Sequence, residues 1–290
     1  MDTRELQNLW EEALREVLDS TIEEAALAAL AFQTKDSIRR IEVYTAYKTR
    51  AELADQTGLP YSFSTNPLVL AQRPSISSLS KLWFLYLATY FGKSKTSKWE
   101  LSKRAIFRNA EEIILVEEIL EERNSYFNGL EKMDFFANCN FSNHRKYTKK
   151  ALLGKNGFIN SANYFLNNIY QFNFPEITDF DYTYNRALKI PLFGRMAAFD
   201  YICSLCKCNL NVNEPTSMYL KYSTGPRAGF RYLLNLCGSE ISSIEDVVQF
   251  GNELQEWFQE NTEIFLVAQV LEDAICNWQK SPITKSRYFG

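Results

Sequence analysis

The chain has 290 residues, of which 46% are hydrophobic and 23% charged, and its formal net charge is −3. This is the composition of a globular protein with one large core or two moderate cores, and it excludes a disordered tail. The slightly negative charge also excludes a protein that coats nucleic acid over its whole surface, because neutralising phosphates requires a concentrated positive field.

Apolar residues recur at steps of three and four positions along most of the chain, which predicts an all-α, multi-helix body. The predicted helices, in chain order, lie within residues 3–32, 38–56, 79–91, 106–122, 160–170, 182–189, 195–207, 228–237, 244–259 and 261–280. Gly58 followed by Pro60 supplies the stop signal after the helix of residues 38–56. Strand-type alternation is scarce, so we expect more than half of the residues in helices and no sheet beyond a short hairpin.

Residues 123–156 differ from the rest of the chain, since they are rich in Asn, Phe and Lys and show no clear periodicity. They predict an irregular basic connection with a short helix inside it. An N-terminal helical lobe then covers residues 1–122 and a C-terminal lobe covers residues 157–290; one continuous domain is the alternative. No stretch approaches the roughly 18 consecutive apolar residues of a membrane span, so no membrane partner is expected.

Six cysteines occur in the chain, at positions 139, 203, 206, 208, 237 and 276. With no basic and apolar signal segment at the N-terminus, they predict a reducing compartment, which is the cytoplasm, or the nucleus in a eukaryote. Cys203, Cys206 and Cys208 resemble a metal or redox motif, but a second pair is missing and the only histidine, His144, is distant in sequence. Because Phe199, Cys203 and Cys206 fit one buried helix face, core packing is favoured, and neither a metal nor another cofactor is predicted.

Two basic clusters are candidate contacts for nucleic acid, and a solvated helix face or loop is the alternative for each. The first covers residues 93–108 and includes Lys98. The second covers residues 144–155, and its candidate contacts are Arg145, Lys146, Lys149 and Lys150.

The most informative stretch, Leu188–Leu205, predicts a helix–hairpin–helix segment like that of DNA glycosylases. Pro191 and Gly194 shape a tight turn, and a new helix begins near Arg195. The free backbone N–H groups of a helix start suit an anion, and Arg195 adds a charge-assisted hydrogen bond. The segment is therefore a candidate site for a nucleic-acid or nucleotide phosphate, and a plain packing corner between two helices is the alternative.

A second turn of the same kind runs from Thr224 to Arg231. Gly225 permits close approach, Pro226 fits the first helical turn, and Arg227 and Arg231 lie four residues apart on one helix face. This turn predicts a second phosphate site, which we expect to face the same cleft as the hairpin.

The last predicted helix places Asp273, Cys276 and Lys280 on one face, at spacings i, i+3 and i+7. A carboxylate, a thiol and an amine brought together in this way form a candidate catalytic group. A semi-buried ion pair beside a core cysteine is the alternative interpretation of the same spacing.

These segments resemble the α-glutamyl/putrescinyl thymine pyrophosphorylases and the related helical domain of the 5-hydroxymethyluracil DNA kinases, which belong to thymine-hypermodification systems of phages and related elements. The resemblance spans about residues 40 to 290. Four family segments have counterparts here in the same order: Gly58–Leu70 with Arg50 upstream and Arg73 downstream, Pro191–Asp200, Gly225–Gly229 and Asp273–Lys280. The chain departs from the family at Asn66, which replaces an acid before proline, at Leu192, which replaces the hairpin glycine, and at Asn277, which replaces the acid after the cysteine.

The resemblance implies a transferase acting on DNA, which replaces the pyrophosphate of a 5-(pyrophosphoryloxymethyl)uracil base with an amine or amino acid as co-substrate. Arg195, Arg227 and Arg231 then suit the departing pyrophosphate. Asp200 or Asp273 suits the base that keeps the amine neutral. The nucleobase that is flipped out of the DNA duplex for the reaction also requires a pocket in the protein.

Two other functions stay open. One is a non-catalytic subunit of a modification or defence complex, which binds nucleic acid or a nucleotide and has a protein partner; the departures at Asn66 and Asn277 favour it. The other is a base-excision DNA glycosylase. Glycosylases with a helix–hairpin–helix carry a catalytic carboxylate after the hairpin, and Asp200 holds that position here.

Overall fold

The computed structural model describes residues 1–93, 98–109, 111–132, 157–239 and 243–288. In this part of the chain there are 13 α-helices and one two-stranded sheet, and 67% of the residues are helical, which confirms the predicted all-α fold. No described helix is both long enough and apolar enough to cross a membrane. The helices are α1 (Thr3–Leu18), α2 (Glu24–Gln56), α3 (Pro67–Leu70), α4 (Ser78–Phe91), α5 (Glu100–Ile106), α6 (Val116–Glu121), α7 (Arg123–Lys132), α8 (Phe158–Asn167), α9 (Phe180–Ala187), α10 (Arg195–Lys207), α11 (Gly225–Leu236), α12 (Ile244–Asn261) and α13 (Val267–Trp278).

Contacts along the chain group the fold into two compact units. The first unit comprises Met1–Val43 and Glu214–Phe289, and the second comprises Tyr44–Asn213, so that the boundary falls inside α2. The lobes expected from the sequence, residues 1–122 and 157–290, are each continuous, whereas the first unit joins segments from both ends of the chain. Local composition carries no signal for such a long-range pairing.

The helix α2 is continuous over 33 residues, whereas the sequence predicted a break between residues 32 and 38. That prediction was wrong because Thr34 and Ser37, which resemble linker residues, are buried in the first unit. Thr34 accepts a hydrogen bond from Trp10 at 2.8 Å, and Ser37 donates one to Asp273 at 2.7 Å. With these polar atoms satisfied and no Gly or Pro in the stretch, the helix continues.

Residues 106–122, which were predicted as one helix, contain the two-stranded sheet instead. Strand β1 (Phe107–Arg108) pairs antiparallel with β2 (Glu112–Ile113), and α6 begins only at Val116. Asn109 follows β1 with a φ of 53°, a left-handed conformation that Asn tolerates better than most residues. This turn, which helical periodicity does not detect, overrides the apolar spacing of the segment.

The first unit depends on a close approach between α11 and α13. Gly225 and Gly229 lie one turn apart on α11 and face α13. A Cβ atom at Gly229 would lie 2.6 Å from the backbone oxygen of Ile275, and one at Gly225 would lie 2.6 Å from Sγ of Cys276. The two glycines therefore allow the two helix backbones to pack closely, a role that only a residue without a side chain fills.

Replacing Gly229 by Ala should lower the free energy of unfolding by about 1–3 kcal/mol, because the added methyl group overpacks against Ile275. Gly129 in α7 is a matched control, since no described atom lies within 4 Å of a Cβ built there. Gly129→Ala should raise the free energy of unfolding by about 0.5–1 kcal/mol, as expected for a helix interior. Urea unfolding of both variants tests this, and a Gly229→Ala variant as stable as the wild type would contradict the close packing.

The centre of the second unit is α4, in which every residue from Leu82 to Phe91 is buried. A helix that is apolar on all faces must be covered on all faces. Tyr86 of α4 stacks on Phe165 with ring centroids 4.4 Å apart and on Phe193 with centroids 5.6 Å apart. Since Phe193 belongs to the turn before α10, this packing attaches the turn to the core.

Candidate functional site

The turn between α9 and α10 has the backbone pattern of a type II turn. The N–H of Phe193 donates to the carbonyl of Ile190 at 3.0 Å and closes the turn over Pro191 and Leu192. Leu192 has a φ of 64°, the left-handed conformation that this turn requires at its third position and that glycine usually supplies. Leu192 stands where the resembled family has glycine, so the backbone conformation is kept at a cost of about 1–2 kcal/mol.

The start of α10 is open to solvent. Gly194 is the N-cap residue, it is exposed, and as a glycine it provides no side-chain cap for the helix. A Cβ built at Gly194 would meet no described atom within 4 Å. The Arg195 guanidinium lies beside this helix start, 5.6 Å from the Phe199 ring centre. An uncapped start of a 13-residue helix with an adjacent guanidinium suits an anion.

The predicted carboxylate Asp200 lies in the second turn of α10 and is half-buried. Its backbone carbonyl accepts a hydrogen bond from the Ser204 hydroxyl at 2.8 Å, and its charge acts on Lys207 further along the same helix. Asp200 thus belongs to the same unit and the same helix as the open hairpin.

The second predicted phosphate turn lies in the first unit, whereas the hairpin lies in the second, so their convergence on one cleft stays a prediction. The Ser223 hydroxyl accepts the Arg227 N–H at 3.2 Å, and the Arg227 guanidinium donates to the carbonyl of Lys221 at 2.7 Å. Gly225 packs against α13, as described above. Arg231 is exposed. This helix start is therefore partly satisfied within its own unit.

The predicted catalytic carboxylate Asp273 is the centre of a hydrogen-bond network in the first unit. It accepts hydrogen bonds from Ser37 at 2.7 Å, from Arg40 at 2.9 and 2.7 Å, and from Asn277 at 2.9 Å. These bonds use the acceptor sites of both oxygens. An arrangement of this kind fits the ion-pair alternative better than a base that must take up a proton.

The other two members of the predicted catalytic group are also engaged. Lys280 donates to the Asn277 side chain at 2.8 Å and lies over the Tyr288 ring at 4.8 Å. Cys276 lies beneath Gly225. Asn277, where the resembled family has an acid, donates to Asp273 and accepts from Lys280; an amide makes both bonds, whereas an ionised acid could not donate to Asp273. The departure at this position therefore has a structural role.

The segment after Gly58 is held by the buried Arg73. Its guanidinium donates to Asp55, to the carbonyl of Leu59 at 2.9 Å and to the carbonyl of Pro60 at 3.3 Å. These bonds use its donors inside the unit, so Arg73 is not placed to reach a phosphate of nucleic acid. Burial alone raises the pKa of Asp55, but hydrogen bonds from Ser75 and Arg73 outweigh that effect and hold it below its ordinary value.

Asn66 and Arg50 also lie in this region, and their contacts are compatible with the expectations from the sequence. The side chain of Asn66 caps α3 by accepting the Leu68 N–H at 3.0 Å, and Asp and Asn are equally good caps. The departure at Asn66 therefore preserves the local fold. Arg50 is exposed and lies over the exposed Phe63 ring at 5.2 Å, a pair that is accessible to nucleic acid.

Replacing Arg73 by Met should lower the free energy of unfolding at neutral pH by about 3–5 kcal/mol, because the half-buried Asp55 loses the charged partner of its ion pair. The low pKa of Asp55 in the folded chain contributes stability that is present above the unfolded pKa of about 3.9 and is lost as the pH falls through the folded value. Urea unfolding from pH 7 to pH 3 should therefore show a shallower loss of stability in Asp55→Asn than in the wild type. Arg108→Met, which removes an exposed pair with Glu112 at 3.1 Å, is the control and should cost less than about 1 kcal/mol.

A family model for the alpha-glutamyl/putrescinyl thymine pyrophosphorylases, clade 3, matches residues 25–290. The match covers most of the chain and includes all four segments described above. The chain belongs to this pyrophosphorylase family. No curated protein and no solved structure matches it.

The remaining predicted residues of this pyrophosphorylase-family chain are placed as follows. Lys98 is exposed and has an interaction partner within the protein. Arg145, Lys146, Lys149 and Lys150 lie outside the described residues. Cys203 and Cys206 are buried, which confirms the predicted core face, and the Cys206 thiol donates to the carbonyl of Asn213 at 3.0 Å. The described residues contain no group of three or more side chains suited to hold a metal.

Sequence reasoning missed a cluster of titratable groups in the second unit of this pyrophosphorylase-family chain. It comprises Tyr44 of α2, Lys81 of α4, and Lys207 and Cys208 at the end of α10. The Nζ atom of Lys207 lies 4.4 Å from the centre of the Tyr44 ring, and the Tyr44 hydroxyl lies 3.3 Å from Oγ of Ser204. Burial lowers the pKa of Lys81 and raises those of Tyr44 and Cys208, the latter to about 12.

The sequence did contain one signal for this cluster. Lys207 lies four residues after Cys203, on the helix face that was predicted to be buried. A charged residue in line with a buried face is unusual and needs a partner or a function.

Proposed function

We propose that this protein acts on DNA and replaces the pyrophosphate of a 5-(pyrophosphoryloxymethyl)uracil base with an amine or amino acid. The observation that carries the proposal is the family match over residues 25–290, together with a hairpin that keeps its glycine-type backbone although Leu192 replaces the glycine. Retaining a strained conformation at this position supports a role that depends on the shape of the turn.

The residues of α10 supply two of the roles that the reaction needs. The open helix start at Gly194, with Arg195 beside it, binds a phosphate of the DNA backbone and orients the strand. Asp200, on the next turn, takes the proton of the incoming amine. Asp273 is assigned no chemical step, because its acceptor sites are occupied by Ser37, Arg40 and Asn277.

The reaction forms a C–N bond and breaks the C–O bond between the 5-methylene carbon and the pyrophosphate. The electron pair of the C–O bond leaves with the pyrophosphate oxygen, and the proton lost by the amine nitrogen passes to the Asp200 carboxylate. A positioned general base of this kind contributes about 10²–10⁴-fold to the rate. Neutralising the departing pyrophosphate lowers the barrier further.

The test incubates the protein with DNA that carries the pyrophosphate ester, with glutamate or putrescine as the donor. Mass spectrometry of the digested nucleosides should show the amine adduct, with an equal amount of pyrophosphate released. Asp200→Asn should lower the rate about 10²–10⁴-fold. Glu112→Gln, which removes an exposed carboxylate from the same unit, should leave it unchanged.

Two outcomes would contradict the proposal, and each supports a named alternative. If the wild type binds DNA but forms no adduct with any donor, the protein is a binding subunit. If free base and abasic sites accumulate instead, the protein is a glycosylase, with Asp200 as its catalytic carboxylate.

A further inference from the structure

Two lysines of the second unit, Lys81 and Lys207, are half-buried and form no ion pair within the described residues. Lys81 lies at the start of α4, and Lys207 is the last residue of α10. Neither ammonium group forms a hydrogen bond or an ion pair with any residue in the described part of the chain. Lys81 and Lys207 lie on α4 and α10, two helices that pack against each other, and the charges of both lysines act on the Cys208 thiol.

Burial acts to lower the pKa of Lys207, but the neighbouring Tyr44, Cys203 and Asp200 outweigh it and raise that pKa. Asp55, which acts on Lys81, accepts hydrogen bonds from Arg73 and Ser75. The Tyr44 and Cys208 groups are protonated at neutral pH, because burial raises both pKa values. Asp200 is the carboxylate that acts on Lys207, and Asp55 is the carboxylate that acts on Lys81.

Two half-buried ammonium groups near one another favour an anion with more than one negative charge. The two ammonium groups offer six N–H donors between them. A carboxylate brings a single negative charge, whereas a diphosphate group brings several charges and more acceptor oxygens.

We propose that Lys81 and Lys207 bind the diphosphate group of the substrate, with the Tyr44 ring as one wall of the site. The identity of this anion rests on the proposed function. The helix α10 has 13 residues and is therefore about 20 Å long, so its two ends contact different groups. The hairpin end binds a backbone phosphate, and the Lys207 end binds the pyrophosphate that departs.

The test measures the affinity for inorganic pyrophosphate by titration calorimetry in the wild type, Lys81→Met and Lys207→Met. Each variant should bind about 10- to 100-fold more weakly, which corresponds to the loss of one charge-assisted hydrogen bond. Lys48→Met is the matched control, since Lys48 lies one turn after Tyr44 on α2, is exposed, and pairs with Glu52 at 3.9 Å. It should bind pyrophosphate as the wild type does.

A variant that conserves the charge distinguishes an effect of the lost charge from an effect on folding. Lys207→Arg keeps the positive charge and should retain affinity within a few-fold, and circular dichroism should show the same helix content in every variant. If both Met variants bind pyrophosphate as tightly as Lys48→Met does, the site is wrong, even if the protein transfers amines. If pyrophosphate binding depends on both lysines but no amine adduct forms, the site stands and the proposed reaction fails.

A second arm identifies the molecule that carries the diphosphate. An oligonucleotide with the pyrophosphate ester on the base should bind more tightly than ADP at the same ionic strength, and Lys81→Met should reduce that preference. Tighter binding of ADP would overturn the assignment to a modified base and would indicate a nucleotide diphosphate.

Discussion

The burial of α4 is the constraint on which the second unit depends. Its aromatic side chains are covered on every face, and burial of each large ring removes about 150–250 Å² from water. Tyr86 packs on Phe193 and so attaches the hairpin to this core. The first turn of α4 carries Lys81. One packing arrangement therefore determines the position of both proposed phosphate contacts.

In the first unit, the residues that resembled a catalytic group in the sequence have a structural role. Asp273, Arg40 and Asn277 connect α2 with α13, and Arg40 also donates to the carbonyl of Tyr288 at 2.6 Å. The network thus ties the C-terminal residues to two helices. A carboxylate with all its acceptor sites filled is suited to hold elements together, whereas a base needs a free lone pair.

The fold class could be predicted from the sequence because helical periodicity is a local property. The turn at Pro191 was also predictable, since proline and glycine limit the backbone locally, whereas the helix–hairpin–helix assignment of the segment stays a prediction. The continuity of α2 was not, because the buried state of Thr34 depends on Trp10, which lies on another helix. Likewise, Arg73 resembles any surface arginine until its partner Asp55 is known. Burial of a polar group is decided by tertiary packing, which spacing along the chain does not record.

The central claim is that the reaction site lies in the second unit, at the hairpin and α10. Hydrogen–deuterium exchange, with and without an oligonucleotide that carries the pyrophosphate ester, tests this most directly. The N–H groups of Arg195, Met196 and Ala197, at the helix start that follows the N-cap Gly194, should exchange more slowly in the complex, while residues 224–228 should be unchanged. Protection at residues 224–228 with none at residues 195–197 would contradict the account.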